Sequence, residues 1–445
     1  MIDTLKNSFK IPEVRKKILI TLLFVLIYRL GSFIPVPGIS TLAFEALTKD
    51  QTSLFGIMNA ITGGALSQGT LFAIGISPYI NASIIIQLLT VAIPALERMS
   101  KEGEEGRNKI NKITRYSTLG LALAQSLGIL FTFKAQTTAD LPLFNLNLFG
   151  TGNLPEWVVF IFVTLIFTAG SSLCMWIGER ITEHGISNGI SMLIFVGIIA
   201  SGGQAIIKMI EDIITKGFIA GNGWQLFVFL GVLVLVFGFI VLVDGGERKI
   251  PVQYAKQVKG NKMYGGQSTY IPLKVNASGV LPLIFAFAIL SLPSIIGETF
   301  FRGSGFAEGV KTYLQSGGWL YSLLLSILIL AFAYFYSMIT FNPADVSKNL
   351  QQNGGFVPGI RPGRQTGDYL GRVVKRITLY GAVFLAIMAL VPSLIFSWIG
   401  GPENSNLLLS AFGATGMLIV VSVALEFDKA LQQQIMMRHY KGFMK

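Results

Sequence analysis

The chain has 445 residues, of which 52% are hydrophobic and only 13% are charged. A soluble domain carries about 25% charged residues, so the composition excludes an ordinary water-soluble protein and indicates a polytopic membrane protein. The single cysteine, Cys174, excludes an intrachain disulfide. The two histidines, His184 and His439, are far apart in the sequence, so no His/Cys cluster has the spacing of a metal site.

Ten apolar runs are each long enough to cross a bilayer, whose core about 30 Å thick needs roughly 20 apolar residues of helix. The runs are continuous rather than alternating, which predicts helices and not barrel strands. The first run follows Arg15, Lys16 and Lys17, and no small-residue cleavage site comes after it, so we interpret it as a retained span. In chain order the predicted spans are 18–34, 71–95, 116–133, 157–177, 188–206, 224–243, 279–297, 319–341, 377–399 and 405–425.

The distribution of basic residues predicts the orientation of these spans. Alternate connections, starting with the N-terminal tail, hold 28 of the 35 Lys and Arg residues. The positive-inside rule then places both termini in the cytoplasm. The net charge of +12 is mostly explained by this topology signal. The surplus of Lys and Arg in the long cytoplasmic loops would also suit an anionic partner such as lipid or ribosomal RNA.

Ionisable residues inside spans usually mark ion or proton pathways, and this chain has almost none. Arg29 lies near the outer end of its span, where its side chain can snorkel outward. A ten-span secondary transporter is the main alternative. It is disfavoured because an ion-coupled transporter normally needs an intramembrane carboxylate or a broken-helix ion site, and the spans lack such carboxylates. An intramembrane hydrolase is the second alternative, and His184 has no evident polar partner. We therefore predict no enzymatic activity. The other acidic residues near the spans stand at their ends: Glu179, Asp244, Glu298 and Glu426.

The ten predicted spans divide into two halves, 1–206 and 224–445, joined by the polar connection 207–223. In each half the second span contains a proline, Pro78 or Pro282, which we interpret as an interruption of the span. Paired interruptions in two halves with an odd number of spans predict an inverted repeat. Proline is also common in membrane helices, which is the simpler interpretation.

The connection 56–70 is glycine-rich and uncharged, and it is too polar to span the membrane. A half-helix folded back into a protein cavity would have this composition, since irregular backbone at membrane depth must be lined by protein or water. An interfacial loop is the alternative interpretation.

Two long cytoplasmic loops, 244–278 and 342–376, differ from simple connections. Residues 249–273 alternate in part and contain Gly260-Asn261, which predicts a loose hairpin. The second loop presents Arg361 between prolines and glycines that stiffen the backbone. Such an arginine is suited to docking a partner carboxylate or phosphate, although a topology signal would also place a cation here.

Seven stretches, in the same order and over nearly the whole chain, resemble the SecY family. They are Arg29–Gly38, Gly63–Ser67, Pro78–Thr90, Gly185–Ser191, Pro272–Asn276, Asn342-Pro343 and Phe356–Gly363. The resemblance implies an all-α integral membrane protein of the bacterial cell membrane. Its ten transmembrane helices would form two pseudo-symmetric inverted five-helix halves, with both termini inside. The implied function is a protein-conducting channel that passes unfolded polypeptides across the membrane and releases membrane segments through a lateral gate.

The resemblance also implies a pore closed at its waist by an apolar ring and sealed by a plug. An apolar constriction dewets and blocks ions when it is empty. The implied plug is 56–70, with Gly63, Gly64, Ala65 and Leu66 at its centre. The implied ring consists of Ile76, Ile80, Ile190, Ile194, Ile284 and Ile419, in which 76/80 and 190/194 have the i,i+4 spacing of one helix face.

The family further implies a lateral gate between spans 2–3 and 7–8, with Gln87, Thr90 and Asn276 as its polar contacts. Arg248, Lys249 and Arg361 match the basic positions that dock the motor ATPase SecA and translating ribosomes. Implied partners are the small membrane subunits SecE and SecG, together with signal peptides, nascent chains and membrane lipid. The family implies no cofactor and no metal.

Overall fold

A computed structural model describes most of the chain. The described residues are 2–48, 54–137, 142–145, 155–217, 223–254, 257–259, 262–264, 268–275, 279, 281–301, 304–314, 318–399 and 414–442.

Helices dominate the described part of the chain. The first predicted half contains α1 Ile2–Lys10, α2 Pro12–Gly31, α3 Thr41–Thr48, α4 Leu54–Ile61, α5 Ser77–Ala92, α6 Pro94–Lys101, α7 Glu104–Gln136, α8 Glu156–His184 and α9 Gly189–Lys216. The second contains α10 Gly223–Asp244, α11 Leu281–Phe300, α12 Gly305–Tyr313, α13 Trp319–Thr340, α14 Pro343–Gln352, α15 Arg364–Ile399 and α16 Ala414–Gly442. The strands are β1 Glu247–Tyr254, β2 Gln257–Lys259, β3 Lys262–Tyr264, β4 Ser268–Lys274 and β5 Gly355–Phe356.

Each predicted span overlaps a helix. Residue 280 of the seventh and residues 405–413 of the tenth lie outside the described residues. Within the described residues, six helical segments are long and apolar enough to cross a membrane. They fall on α7, α8, α9, α10, α15 and, in one segment, α13 with α14. A seventh crossing is possible if α5 and α6, which meet at an angle of 99°, form one broken span. The helices α2 and α16 are not among these segments, because charged residues such as Arg15 and Glu426 lie in the same helix as the apolar run.

The prolines of the second and seventh predicted spans do not interrupt helices, so that interpretation was wrong. Pro78 and Pro282 lie in the first turns of α5 and α11. The first turn does not need the N–H group that proline lacks, so proline starts a helix well. Residues 71–76, predicted as part of the span, form turns instead. The proline that does lie inside α11 is Pro293.

The two predicted halves nevertheless begin their second span in the same way. Three residues before each proline stands a glycine with positive φ, Gly75 at 62° and Gly279 at 63°. This conformation is readily accessible to glycine and rare for other residues. A glycine with positive φ therefore precedes both α5 and α11.

The largest hydrophobic cluster joins helices of both halves. It contains buried side chains such as Tyr28 on α2, Leu193 on α9, Leu283 on α11 and Leu418 on α16. A second cluster, built around Phe44, Phe133 and Phe167, includes Met58 and Leu66 of the connection 56–70.

The two long loops form one unit rather than two separate connections. Strand β1 pairs antiparallel with β4 from Glu247↔Lys274 to Gln253↔Ser268, which confirms the predicted hairpin. Its tip, Gly260-Asn261, lies outside the described residues. The same strand pairs with β5 of the other loop, giving the order β4-β1-β5. We call this unit, with α14 and the start of α15, the loop layer. Its own buried core consists of Ile250, Val252, Leu273, Leu350, Val357, Leu370 and Val373.

Candidate pore, plug and gate

All six isoleucines of the candidate ring belong to the largest hydrophobic cluster. Ile76, Ile194 and Ile419 are buried members, and Ile80, Ile190 and Ile284 pack against it half-buried. They come from α5 and the residue before it, α9, α11 and α16, and therefore from both halves of the chain. Ile76 and Ile190 both face Gly178 of α8, since a Cβ added there would lie 3.5 Å from Ile76 Cδ1 and 3.2 Å from Ile190 Cγ1.

Much of the candidate plug, 56–70, is buried, although Gln68 is exposed. After α4 ends at Ile61 the chain turns repeatedly, and Ala65, Leu66 and Thr70 are at most 1% exposed. Backbone and side-chain hydrogen bonds close the turns locally, as from Gly64 N to the Asn59 carbonyl at 2.9 Å. Irregular backbone that is lined by protein in this way is the kind that membrane proteins tolerate at membrane depth.

Three helices approach the segment 61–72 at glycines. A Cβ added at Gly197 of α9 would overlap the Ile61 carbonyl oxygen, and one at Gly170 of α8 would overlap the Leu71 carbonyl oxygen. At Gly31 of α2 an added Cβ would overlap the ring of Phe72. The segment therefore rests in a seat in which helix backbones come closer than any side chain would allow. Sequence reasoning missed this seat, because glycines are frequent in membrane helices for many reasons.

Arg29 of α2 is directed at this seat, so the expectation that it snorkels outward is wrong for its Nη1 nitrogen. That atom is buried and has no hydrogen-bond partner among the described residues. A Cβ added at Gly63 would lie 2.5 Å from it. The guanidinium carbon also stands 5.1 Å from the ring centroid of Phe33, within the range of a cation–π contact.

The candidate gate contains a hydrogen bond between distant helices. The Tyr336 hydroxyl of α13 donates to Gln87 Oε1 of α5 at 2.7 Å. Gln87 Nε2 donates to the Ser83 hydroxyl of its own helix at 3.2 Å. The Thr90 hydroxyl donates to the Ile86 carbonyl at 2.7 Å, and this bond also lies within α5. Asn276 lies outside the described residues. Sequence reasoning missed Tyr336, although a half-buried tyrosine hydroxyl usually finds a partner.

The three candidate docking residues belong to the loop layer. Arg248 and Lys249 are exposed on β1, and Lys249 lies 3.4 Å from Glu247 and 4.8 Å from the ring centroid of Tyr270. Arg361 is exposed in the loop between β5 and α15. Its carbonyl oxygen accepts a hydrogen bond from the buried Thr366 hydroxyl at 2.8 Å. The backbone that carries this arginine is therefore held in place while its side chain faces solvent.

The part of the chain that the structure describes contains no candidate metal-binding site. No group of three or more His, Cys, Asp or Glu side chains there could hold a metal ion.

Comparison with known proteins agrees with this architecture. The family model described as SecY matches residues 70–427. The protein translocase subunit SecY of Streptomyces coelicolor is 42% identical over 454 residues, covering all of both chains. That of Thermotoga maritima is 40% identical over 453 residues, covering 100% of this chain and 98% of its own.

Solved structures with the same fold include channels. A structure of a protein-conducting channel superposes with a TM-score of 0.65 at 18% identity, covering 96% of each chain. A second has a TM-score of 0.59 at 18% identity and 96% coverage of each chain, and concerns a SecY plug domain that stabilises the closed state and maintains a membrane seal. A third, Sec61 in the canine ribosome-channel complex, has a TM-score of 0.62 at 17% identity, again with 96% coverage of each chain.

Proposed function

The chain belongs to the SecY family of translocase subunits, and from this premise we propose how its residues build a protein-conducting channel. Unfolded polypeptides pass through a waist formed by Ile76, Ile80, Ile190, Ile194, Ile284 and Ile419. The observation that carries this proposal is that isoleucines from both halves of the chain belong to one hydrophobic cluster. An apolar waist excludes water and ions when it is empty, and it holds no passing side chain by a polar contact.

We further propose that the multi-pass membrane architecture consists of ten spans in two inverted halves, 1–206 and 224–445, with both termini in the cytoplasm. The recurrence of a positive-φ glycine before the prolines of α5 and α11 supports the repeat. The concentration of Lys and Arg in alternate connections supports the orientation. The membrane is the bacterial cell membrane, as it is for a translocase subunit of this family in bacteria.

The buried segment 56–70 is proposed as the plug, with Gly63, Gly64, Ala65 and Leu66 at its centre. Its burial and its lack of charge support a seal that rests inside the protein. A charged residue in such a position would carry a desolvation cost.

The lateral gate is proposed to open between α5 and α13, where Gln87 and Tyr336 are hydrogen-bonded. Thr90 and Asn276 belong to the same gate in this proposal. Hydrogen bonds between membrane helices are worth about 0.6 kcal/mol on average. A bond of that size holds the gate shut at rest, yet an apolar segment of a nascent chain or signal peptide can replace it and move into lipid.

The loop layer is proposed as the docking surface, with Arg248, Lys249 and Arg361 as its cations. SecA and the translating ribosome are its partners, and SecE and SecG are the membrane subunits that complete the translocase. A role as a ribosome-bound channel is consistent with the canine Sec61 complex that shares this fold. The function is non-enzymatic, because the energy comes from the docked motor or ribosome.

The ring is tested by replacing Ile80, Ile190 and Ile284 with glycine together. The variant should conduct ions in planar bilayers, because water can fill a constriction that has lost its apolar bulk. A matched control replaces Ile161, Ile199 and Ile387, which are exposed on the outside of their helices. Both triple variants place three glycines in helices, where glycine is a poor helix former, but only the first should leak. Silent recordings from the first variant would contradict the pore assignment.

A further inference from the structure

We propose that Gly197 and Ser201 of α9 are positioning residues that hold the plug in its closed place, and that the plug is released when α9 moves away from it. This inference rests on the proposed plug function of 56–70 and adds to it the helix that controls the seal.

The first observation is a close approach of two backbones. A Cβ added at Gly197 would overlap the Ile61 carbonyl oxygen and would lie 3.5 Å from Gly63 N. In the reverse direction, a Cβ added at Gly63 would lie 3.2 Å from the Gly197 carbonyl oxygen. Glycine on both sides lets the plug and α9 touch through their main chains. A methyl group on α9 would push the plug out of its seat.

The second observation is a hydrogen bond one turn farther along α9. The Ser201 hydroxyl donates to the Ala60 carbonyl oxygen at 2.7 Å. Ala60 is the residue before Ile61, so Gly197 and Ser201 contact adjacent residues at the end of α4. The two contacts differ in kind, one steric and one polar, and they fix the same point of the plug.

The third observation links the plug to the ring. Ile190, Ile194, Gly197 and Ser201 follow one another at intervals of four, three and four residues, which places them on one face of the helix. The face of α9 that supplies two ring isoleucines therefore also supplies the plug seat. A helix moves as a stiff rod, so an outward shift that widens the ring withdraws Gly197 and Ser201 from the plug.

The experiment measures ion conductance of the reconstituted translocase carrying Gly197→Ala, Ser201→Ala or Gly203→Ala. Gly203 is the matched control, since it lies on the same helix and nothing stands within 4 Å of a Cβ added there. Gly197→Ala should leak nearly as much as deletion of 60–69. Ser201→Ala should raise the leak about threefold, the loss of one average hydrogen bond between membrane elements. Gly203→Ala should stay tight.

The same substitutions in the 60–69 deletion separate plug seating from general packing. With the plug gone, Gly197→Ala and Ser201→Ala should add no further conductance. Additional leak in that background would overturn the proposal, because it would show that α9 acts through the pore wall. If the deletion leaks but Gly197→Ala in the full chain stays tight, the proposal is wrong while the plug function stands. A deletion that stays tight would instead remove the plug function itself.

A cross-link keeps the proposal testable should Gly197→Ala fail to reach the membrane. The chain with Cys174→Ser, Ala60→Cys and Ser201→Cys should form a disulfide on oxidation, since bridging needs Cα atoms within about 7 Å. Oxidation should then stop translocation, and a reductant should restore it. Failure of the disulfide to form, or translocation that continues after it forms, would overturn the proposal.

Discussion

The proposed plug segment and the loop that carries Arg361 are both irregular and rich in glycine, but glycine is needed for different reasons in the two regions. Gly63 in the plug has φ of 72°, and an added Cβ would also meet Arg29 and the backbone of Gly197. Gly359 in the loop has φ of 81°, and nothing lies within 4 Å of an added Cβ. Glycine is thus required for conformation in both places, and for space only in the plug.

Charge distinguishes the two regions already in the sequence. The plug carries no charged residue, and helices enclose it on several sides. The loop carries Arg361, and Arg364 follows it as the first residue of α15; both are exposed. An uncharged irregular segment can be buried in a membrane protein where protein lines it, whereas a charged one keeps its cations in water. Similar backbones therefore suit the proposed seal in one place and the proposed docking surface in the other.

The largest expected effect comes from placing the same side chain in both regions. Gly63→Val should unseat the plug and open an ion leak. Valine disfavours the positive φ at this position, and its side chain would collide with Arg29 and the backbone of Gly197. Gly359→Val should cost about 1–2 kcal/mol of left-handed backbone strain and leave the channel tight. Conductance in planar bilayers compares them. Equal leaks from both variants would contradict the distinction between conformation and space.

Reversing the charge of the loop should impair docking without opening the seal. Arg361→Glu should reduce SecA-driven transport about tenfold to hundredfold, the range expected from losing charge-assisted hydrogen bonds worth 1.5–3 kcal/mol. Arg361→Lys should be milder, since lysine keeps the charge but loses the planar fork. Lys348→Glu is the control, because Lys348 is exposed on α14 of the same layer. Transport of a secretory precursor into vesicles with equal amounts of each variant is the measurement. Normal transport by Arg361→Glu would leave this arginine as a topology signal.

A smaller effect should follow from loosening the backbone beneath Arg361. Thr366→Val removes the hydroxyl that donates to the Arg361 carbonyl and keeps the buried shape. A hydrogen bond of this type contributes about 1 kcal/mol, so transport should fall about two- to fivefold. The defect should disappear in the Arg361→Glu background, where docking is already lost. An additive defect in the double variant would show that Thr366 acts elsewhere.

The smallest expected effect belongs to the proposed gate, where the contact between α5 and α13 is a side-chain hydrogen bond rather than a backbone contact. Tyr336→Phe should favour opening about threefold, in line with 0.6 kcal/mol for a membrane hydrogen bond. The measurement is the fraction of a marginally apolar segment that is released into lipid rather than secreted. Tyr334→Phe is the control, because that hydroxyl donates to the Lys375 carbonyl instead. Equal fractions for both variants would remove Tyr336 from the gate.

The sequence by itself determined the properties that depend on local composition. Continuous apolar runs predicted the helices, since hydrophobicity over about 20 residues is enough to identify a span. The alternation in 249–273 predicted the hairpin that β1 and β4 form. Seven ordered stretches were enough to suggest the family, and the lack of charge in 56–70 favoured a buried segment. None of these inferences needs a contact between distant residues.

Only the tertiary structure decided which residues meet. Gln87 and Tyr336 are 249 residues apart, and no local pattern could pair them. The two long loops share a sheet because β5 adds to β1 from about a hundred residues away, while each loop viewed alone looks like an independent connection. Pro78 interrupts a span in the sequence and starts a helix in the structure, because the preceding residues turn to meet the plug seat. The close approach at Gly197 is also visible only in the structure, because it depends on the Ile61 carbonyl oxygen occupying the place that a side chain at 197 would need.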